Sequence, residues 1–483
     1  MSHAGILLPV ASLPSVHGVG DFGPKAYQFI KLLKKSQVKL WQVLPLNPLG
    51  YGNSPYQPYS SKAMDELYIS LTLLKKEGLI KAAPSFNNLA KKIDYQAVRD
   101  FKQVYLKEAF LNFKADKKYN RFINKNRWVK DYATFISLKK DQDQVAWLYW
   151  KKEYRDYGTN KQTDLSAFNK AIAYEMFLQY ILFRQWRALK KYANHHHIQI
   201  IGDIPIYVGI DSVDVWMNRH LFLLDETGHP TFIAGVPPDY FSKLGQRWGN
   251  PLYDWDKLKQ TNFAFWIDRL GYNAQLFDYI RIDHFRAFDS YWAIPAQYED
   301  AVIGQWWYAP GYHLFDTINK QLPTLKIIAE DLGDLRPEVL VLRDHYELPG
   351  MKIVQFSFDF NKKPIYKVAS NQNMIIYPGT HDNDTVRGWY LSLTKPQRNQ
   401  VRQYVSSYGQ NNVVKDLICL TLNSAQKMAI IPMQDILGHG TWARLNVPGT
   451  INDHNWSWKM SSFSLFKKQL VWLKKQIIAA NRK

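Results

Sequence analysis

Three acidic side chains stand where short apolar runs end: Asp283 in DYIRIDHF, Glu330 in LKIIAEDLG and Asp382 in MIIYPGTHDND. Two carboxyl groups in opposite protonation states, about 5 to 5.5 Å apart, can break a glycosidic bond with retention, one as nucleophile and one as acid. Asp283 lies two residues after Arg281. In a strand both side chains therefore share one face, where the guanidinium would keep the aspartate ionised, as a nucleophile must be. Glu330, facing that negative charge and shielded from water, would keep its proton and serve as general acid. Asp382 with His381 would bind the hydroxyls beside the reacting carbon. Any one of these carboxylates alone reads equally well as a cap for the helix that follows a strand. Their joint occurrence is what points to chemistry.

Eight apolar runs of strand length supply the framework: 5–10, 39–47, 198–208, 278–285, 325–333, 351–358, 374–384 and 428–438. Continuous apolar strands suit a parallel sheet buried on both faces, and eight of them separated by helix-length segments suit a (β/α)8 TIM barrel of the α/β class. An open, doubly wound sheet is the alternative. In a barrel the strand C-termini share one mouth, which gathers Asp203, Arg281, Asp283, Glu330, His381, Asp382, Gln434 and Asp435. The second and third runs are too far apart for an ordinary loop, so an inserted, largely helical subdomain is expected over about 60–197. There Phe101, Val104 and Tyr105, then Phe177, Tyr180 and Ile181, recur at i, i+3 and i+4. A second insertion, about 209–277, contains AGVPPDYFSKLGQRWGNPLYDW (234–255), whose Pro, Gly and aromatic content reads as a long irregular substrate loop. The whole chain, 1–483, then reads as a single catalytic barrel with outgrowths.

Other chemistries are excluded in turn. With 46% hydrophobic and 22% charged residues the chain can bury its own core. A formal charge of +20 raises the question of nucleic acid, but the basic residues are dispersed and no recognition motif accompanies them, so no nucleic-acid partner is expected. Cys419 is the single cysteine, which precludes an intramolecular disulfide and fits the cytoplasm. The N-terminal run lacks a basic flank and is broken by Pro9 and Pro14, unlike a signal peptide, and no run nears the roughly 18 apolar residues of a membrane span. Gly18, Gly20 and Gly23 spell G-x-G-x-x-G, yet Leu13, Pro14 and Ser15 intervene after the strand and no acidic residue occurs between Asp21 and Asp65 to hold a ribose. His195, His196 and His197 are consecutive and cannot share one helix face, and HDNDT (381–385) lacks calcium-loop spacing. Neither a metal nor an organic cofactor is expected.

Aromatic residues inside polar, Gly/Pro-rich segments remain: Tyr51, Tyr56, Tyr59, Tyr240, Phe241 and Trp248. Flat rings beside Asn, Gln and Asp suit the CH faces and hydroxyl edges of sugars. RIDHFRAF (281–288), AEDLG (329–333) and GTHDND (379–384), with GYGNSPYQPYSS (50–61), GDIPIYV (202–208), the 234–255 segment, IIPMQDILG (430–438) and RLNVPGT (444–450), resemble the amylomaltase, or 4-α-glucanotransferase, family of the α-amylase superfamily. The resemblance implies Asp283 as nucleophile, Glu330 as acid/base and Asp382 as third carboxylate, with no cofactor. It also implies contacts to α-1,4-glucans from Ser54, Tyr56, Gln57, Asp239, Gln246, Trp248, Asn250, His284, His381 and Asn446, with Arg281 supporting the nucleophile. A retaining α-amylase-like hydrolase is the alternative activity. Ala287, Leu445 and KAMDELYISL (62–71) depart from the family pattern and leave open how the chain is held after the GYGNSPYQ loop.

Overall fold

A computed structural model describes residues 2–86, 91–238, 242–368 and 371–483. Each of the eight apolar runs overlaps a strand: β1 (His3–Leu7), β2 (Leu40–Gln42), β3 (Gln199–Pro205), β6 (Tyr279–Asp283), β9 (Ile327–Ala329), β10 (Gly350–Ile353), β11 (Met374–Tyr377) and β12 (Met428–Pro432). They pair in parallel in the order β10-β11-β12-β1-β2-β3-β6-β9, which follows the chain around a ring. The Ala329 N–H donates to the Pro349 carbonyl at 2.9 Å and bridges β9 to the start of β10. The fold is a (β/α)8 barrel, and the open-sheet alternative falls away. Branched residues such as Ile200, Ile201, Ile280, Ile282, Ile430 and Ile431 are buried on these strands, as a sheet covered on both faces requires.

Between β2 and β3 the chain forms helices Leu71–Lys76, Tyr95–Asn112, Lys117–Lys125, Trp128–Asp141, Lys152–Asn160 and Asn169–His195. Phe177, Tyr180 and Ile181 lie buried on the last of these, as their spacing predicts. The first triad does not behave that way: Val104 is 64% exposed. Helix Tyr95–Asn112 instead buries Val98, Lys102, Leu106 and Ala109, a stripe displaced from the one the apolar residues suggest. The displacement follows from Lys102, whose ammonium donates to the Leu67 and Ile69 carbonyls, so a charged residue occupies an inward position. Burial lowers its pKa to about 8.

The segment that departs from the family pattern is held from the same side. Asp65 caps the 3-10 turn Glu66–Tyr68, accepts from the Leu49 N–H at 2.9 Å, and pairs with Arg99 at 2.7 Å. Arg99 also reaches Glu66 at 2.6 Å, tying the helical insertion to the chain that leaves the 50–61 loop.

The 234–255 segment is in part regular, at 234–236 and 246–251. These residues belong to β4 (Phe232–Val236) and β5 (Gln246–Pro251), which join β7 (Ser290–Pro295) and β8 (Gln305–Tyr308) in an antiparallel sheet of order β5-β4-β7-β8. A register shift between Ile233 and Gly235 interrupts the alternation by which a strand is recognised. A Cβ at Gly235 would fall 2.2 Å from the Gln246 carbonyl oxygen, so the glycine that reads as a loop marker is what lets two strands approach.

Gly202 in β3 has a similar role inside the barrel wall, where a Cβ would lie 2.2 Å from the Phe277 ring. Gly202→Ala is expected to destabilise the fold by about 1–3 kcal/mol through overpacking. The urea unfolding midpoint reads this out, and an unshifted midpoint would contradict the packing described.

Candidate active site

Strand register brings the first charges together. Asp203 on β3 pairs with Arg281 on β6, and Pro205 pairs with Asp283. Arg281 and Asp283 alternate with the buried Ile280 and Ile282, so both aim toward the barrel axis. Arg281 Nη1 lies 2.8 Å from both Asp203 oxygens, and Nη2 donates to Asp283 Oδ1 at 2.9 Å. Burial disfavours the guanidinium charge, but the two aspartates outweigh it and push Arg281 well above its ordinary pKa.

A second set of hydrogen bonds continues from Asp203 across the mouth. The Tyr56 hydroxyl donates to Asp203 Oδ2 at 2.8 Å and lies 2.9 Å from His381 Nε2, with its ring stacked on the imidazole at 5.3 Å. His381 Nε2 is also 3.2 Å from Asp382 Oδ2, and Asn446 Nδ2 donates to Asp382 Oδ1 at 2.7 Å. Burial works against both charges of this pair. The attraction of His381, with the Asn446 hydrogen bond, nevertheless lowers Asp382 to about 2, while Asp382 raises His381 above its usual value.

Glu330 sits one residue past β9 and meets the residue that follows Asp283. After Asp283 the chain turns through the left-handed region at His284 (φ 55°), which points the His284 N–H at Glu330 Oε2, 2.7 Å away. Oε1 accepts from the Leu332 N–H at 3.0 Å. Two such donors favour the carboxylate, yet burial first and the Asp283 charge second prevail and raise Glu330 to about 7. Burial likewise lowers the His284 ring to about 4, leaving a neutral imidazole edge-on to Trp248 with centroids 4.8 Å apart.

These groups surround a cavity of about 850 Å³. Ser54, Tyr56, Gln57, Gln246, Trp248, Asn250, Asp283, His284, His381, Asp382 and Asn446 all line it. Arg281 and Glu330 are not among the residues that line it; they are bonded to two that do, Arg281 to Asp283 and Glu330 to the His284 N–H. Asp239, Tyr240 and Phe241 lie outside the described residues. Gln246, Trp248 and Asn250 occupy alternate positions of β5, so one face of a short strand presents all three. Gln57 Nε2 donates to the Trp248 carbonyl at 2.8 Å and ties that strand to the 50–57 segment.

Tyr59 is elsewhere, its ring beneath the Lys139 ammonium at 4.9 Å. Gln434 and Asp435, expected at the mouth, lie under the 380–385 loop instead, and the Asp435 carboxylate accepts from the Val386 N–H at 2.7 Å. Missed in the sequence are Tyr207, Ile451 and Trp456, which also line the cavity. Trp456 packs against Tyr56 at 5.7 Å and His381 at 5.9 Å, and it carries the same signature as the others, an aromatic ring in a polar loop. Gly52 (φ 65°) approaches Ile451 so closely that a Cβ would lie 3.2 Å from its Cγ2, which joins the 50–57 segment to the 448–451 segment at the cavity wall.

The sequence profile of glycoside hydrolase family 77, 4-alpha-glucanotransferase, matches residues 8–465. A 4-alpha-glucanotransferase of Synechocystis sp. is 42% identical, spanning 94% of this chain and 93% of its own length. One from Thermus thermophilus is 41% identical over 94% of each. The solved amylomaltase from Streptococcus agalactiae in complex with acarbose superposes over the whole of both chains with a TM-score of 0.93 at 34% identity. These relatives are named for glucan transfer, which counts against the hydrolytic alternative.

Burial above all raises the Asp435 carboxyl to about 7. The folded protein thus keeps a proton that the unfolded chain loses near pH 4, and stability falls as pH rises from about 4 to about 7. Asp435→Asn preserves the acceptor for Val386 and removes that fall. Its stability gain is expected to be absent below pH 4 and to grow to roughly 4 kcal/mol above pH 7. Urea denaturation across that range measures it, and a difference that does not vary with pH would contradict the assignment.

Proposed function

The chain belongs to the 4-alpha-glucanotransferase family, and from that premise we propose that it moves α-1,4-glucan segments between maltooligosaccharides with retention, Asp283 acting as nucleophile and Glu330 as acid/base. The observation that carries this reading is the bond from the His284 N–H to Glu330 Oε2, which holds the Glu330 carboxyl beside the residue that follows Asp283. In the first step Asp283 attacks the anomeric carbon while Glu330 gives its proton to the departing 4-oxygen, leaving a covalent glucosyl ester. In the second step the 4-hydroxyl of an acceptor glucan, or of glucose, displaces Asp283 and returns a proton to Glu330. Asp382, ionised beside His381, accepts from the sugar hydroxyls next to the reacting carbon.

Transfer wins over hydrolysis when an acceptor is held at the ester more effectively than water. Trp248, Tyr207 and Trp456 offer ring faces for it, while Gln246, Asn250 and the neutral His284 offer hydrogen bonds without charge. An uncharged substrate suits this lining. Action in the cytoplasm belongs to the same proposal, in keeping with a single buried cysteine. No helix among the described residues is long and apolar enough to cross a membrane.

Maltotriose as sole substrate is expected to yield glucose with a ladder of longer maltooligosaccharides; conversion to glucose and maltose alone would contradict transfer. Asp283→Asn is expected to lower kcat by a factor of roughly 10⁴ or more with the fold intact by circular dichroism, and unchanged turnover would remove the mechanism. Glu330 must be protonated in the free enzyme to act as acid, so kcat/KM is expected to fall as pH rises through about 7. A profile flat to pH 9 would refute that role.

A further inference from the structure

Under the 380–385 loop, where β1 and β12 end, lies a second and far smaller cavity of about 10 Å³, counted as the space a water's centre can occupy. That is the measure of a single water. Leu7, His381, Thr385, Gln434, Asp435 and Leu445 are among its walls. Two polar atoms of those walls, His381 Nδ1 and Gln434 Oε1, are fully enclosed and have no hydrogen-bond partner among the described residues. Their side chains are only 4% and 3% exposed. Buried polar atoms left unpaired are costly and uncommon.

The remaining bonds of both side chains fix what these two atoms need. Gln434 Nε2 donates to the Ala443 carbonyl at 3.2 Å, which turns Oε1 toward the cavity as an acceptor. On His381, Nε2 faces the Tyr56 hydroxyl oxygen and Asp382 Oδ2. Tyr56 spends its proton on Asp203, so its oxygen only accepts toward the imidazole, and the carboxylate of Asp382 only accepts as well. Nε2 therefore carries hydrogen. Nδ1 is left either as a second donor, in the imidazolium, or as a bare lone pair. A water has two donors and two acceptor sites, and it can bond Gln434 Oε1 while serving Nδ1 in either state.

We propose that one ordered water binds between His381 Nδ1 and Gln434 Oε1, and that Gln434 is through it a positioning residue for His381. Held by Gln434, the water turns a lone pair to Nδ1–H and stabilises the imidazolium that Asp382 pairs with. The charged groups facing His381 are Asp382, Asp203 and Arg281, while Asp384, Asp435 and Arg444 border the cavity. The water's presence stands independently of the proposed reaction; only its effect on turnover rests on the role given to His381 and Asp382.

A crystal structure of the unaltered protein at high resolution is expected to place a water within about 2.7–3.2 Å of both atoms. A dry cavity, or Nδ1 bonded directly to Gln434, would overturn the proposal. With ¹⁵N-labelled histidine, Gln434→Leu is expected to lower the His381 titration by about one pH unit and Gln434→Glu to raise it. Loss of the His381 proton is expected to lower kcat as pH rises, and that fall should move by the same amount, with KM for maltotriose little changed. Titration unmoved in Gln434→Glu would also overturn it, and this variant and the crystal structure decide the matter if the leucine variant does not fold. If the water is found but Asp382→Asn leaves transfer intact, the catalytic reading fails and the water stands. If the water is missing while Asp283→Asn abolishes transfer, the reverse holds.

Discussion

At the mouth of the barrel one buried guanidinium is shared by two carboxylates, and the placement of the other polar groups follows from that sharing. A charge taken out of water repays its cost only when its partners are complete. Arg281 meets this condition by giving Nη1 to both oxygens of Asp203 and Nη2 to Asp283, with Nε against the Met351 sulfur at 3.5 Å. Asp203, fixed in this way, orients the Tyr56 hydroxyl; Tyr56 orients His381, and His381 faces Asp382. Two carboxylates on opposite sides of the mouth are therefore positioned through one network. Donors and charges already in place need no reorganisation when the reaction demands them.

That network gives carboxyl groups of the same chemistry different behaviour. Asp382 lies beside a histidine and accepts from Asn446, and it stays ionised to low pH. Glu330 also accepts from two donors, yet its burial first and the negative charge of Asp283 second raise its pKa to about 7. The divergence is one of neighbours. His284, between them, is uncharged because burial outweighs the aspartate it follows. The chain's net charge of +20 is represented in the lining of the large cavity by Arg247, beside the carboxylates of Asp283 and Asp382.

The barrel was legible because its strands are apolar on both sides and announce themselves even when short: β2 and β9 have only three residues each. The antiparallel sheet was not. Its strand β4 is bulged, its glycine answers a close backbone contact, and β5 alternates polar and aromatic residues into a cavity rather than apolar ones into a core. The acidic residues at strand ends were readable one at a time. What joins them was not, since Tyr56 meets Asp203 across 147 positions and His381 across 325. Gln434 and Asp435 show the limit of reading by position, for both belong to the short helix Met433–Ile436 that follows a barrel strand, and they lie beneath the 380–385 loop.

Gly52 and Ile451 form a seam between the two ends of the chain. On one side the backbone is left-handed and already lacks a side chain, so nothing smaller can be placed there and anything larger is strained. On the other side is an isoleucine that is 68% exposed and carries little of the fold's packing. The width of the wall at that point is thus set by one side chain. A trimmed side chain at position 451 would widen the cavity wall there, and an enlarged one would extend it, with little core packing at stake.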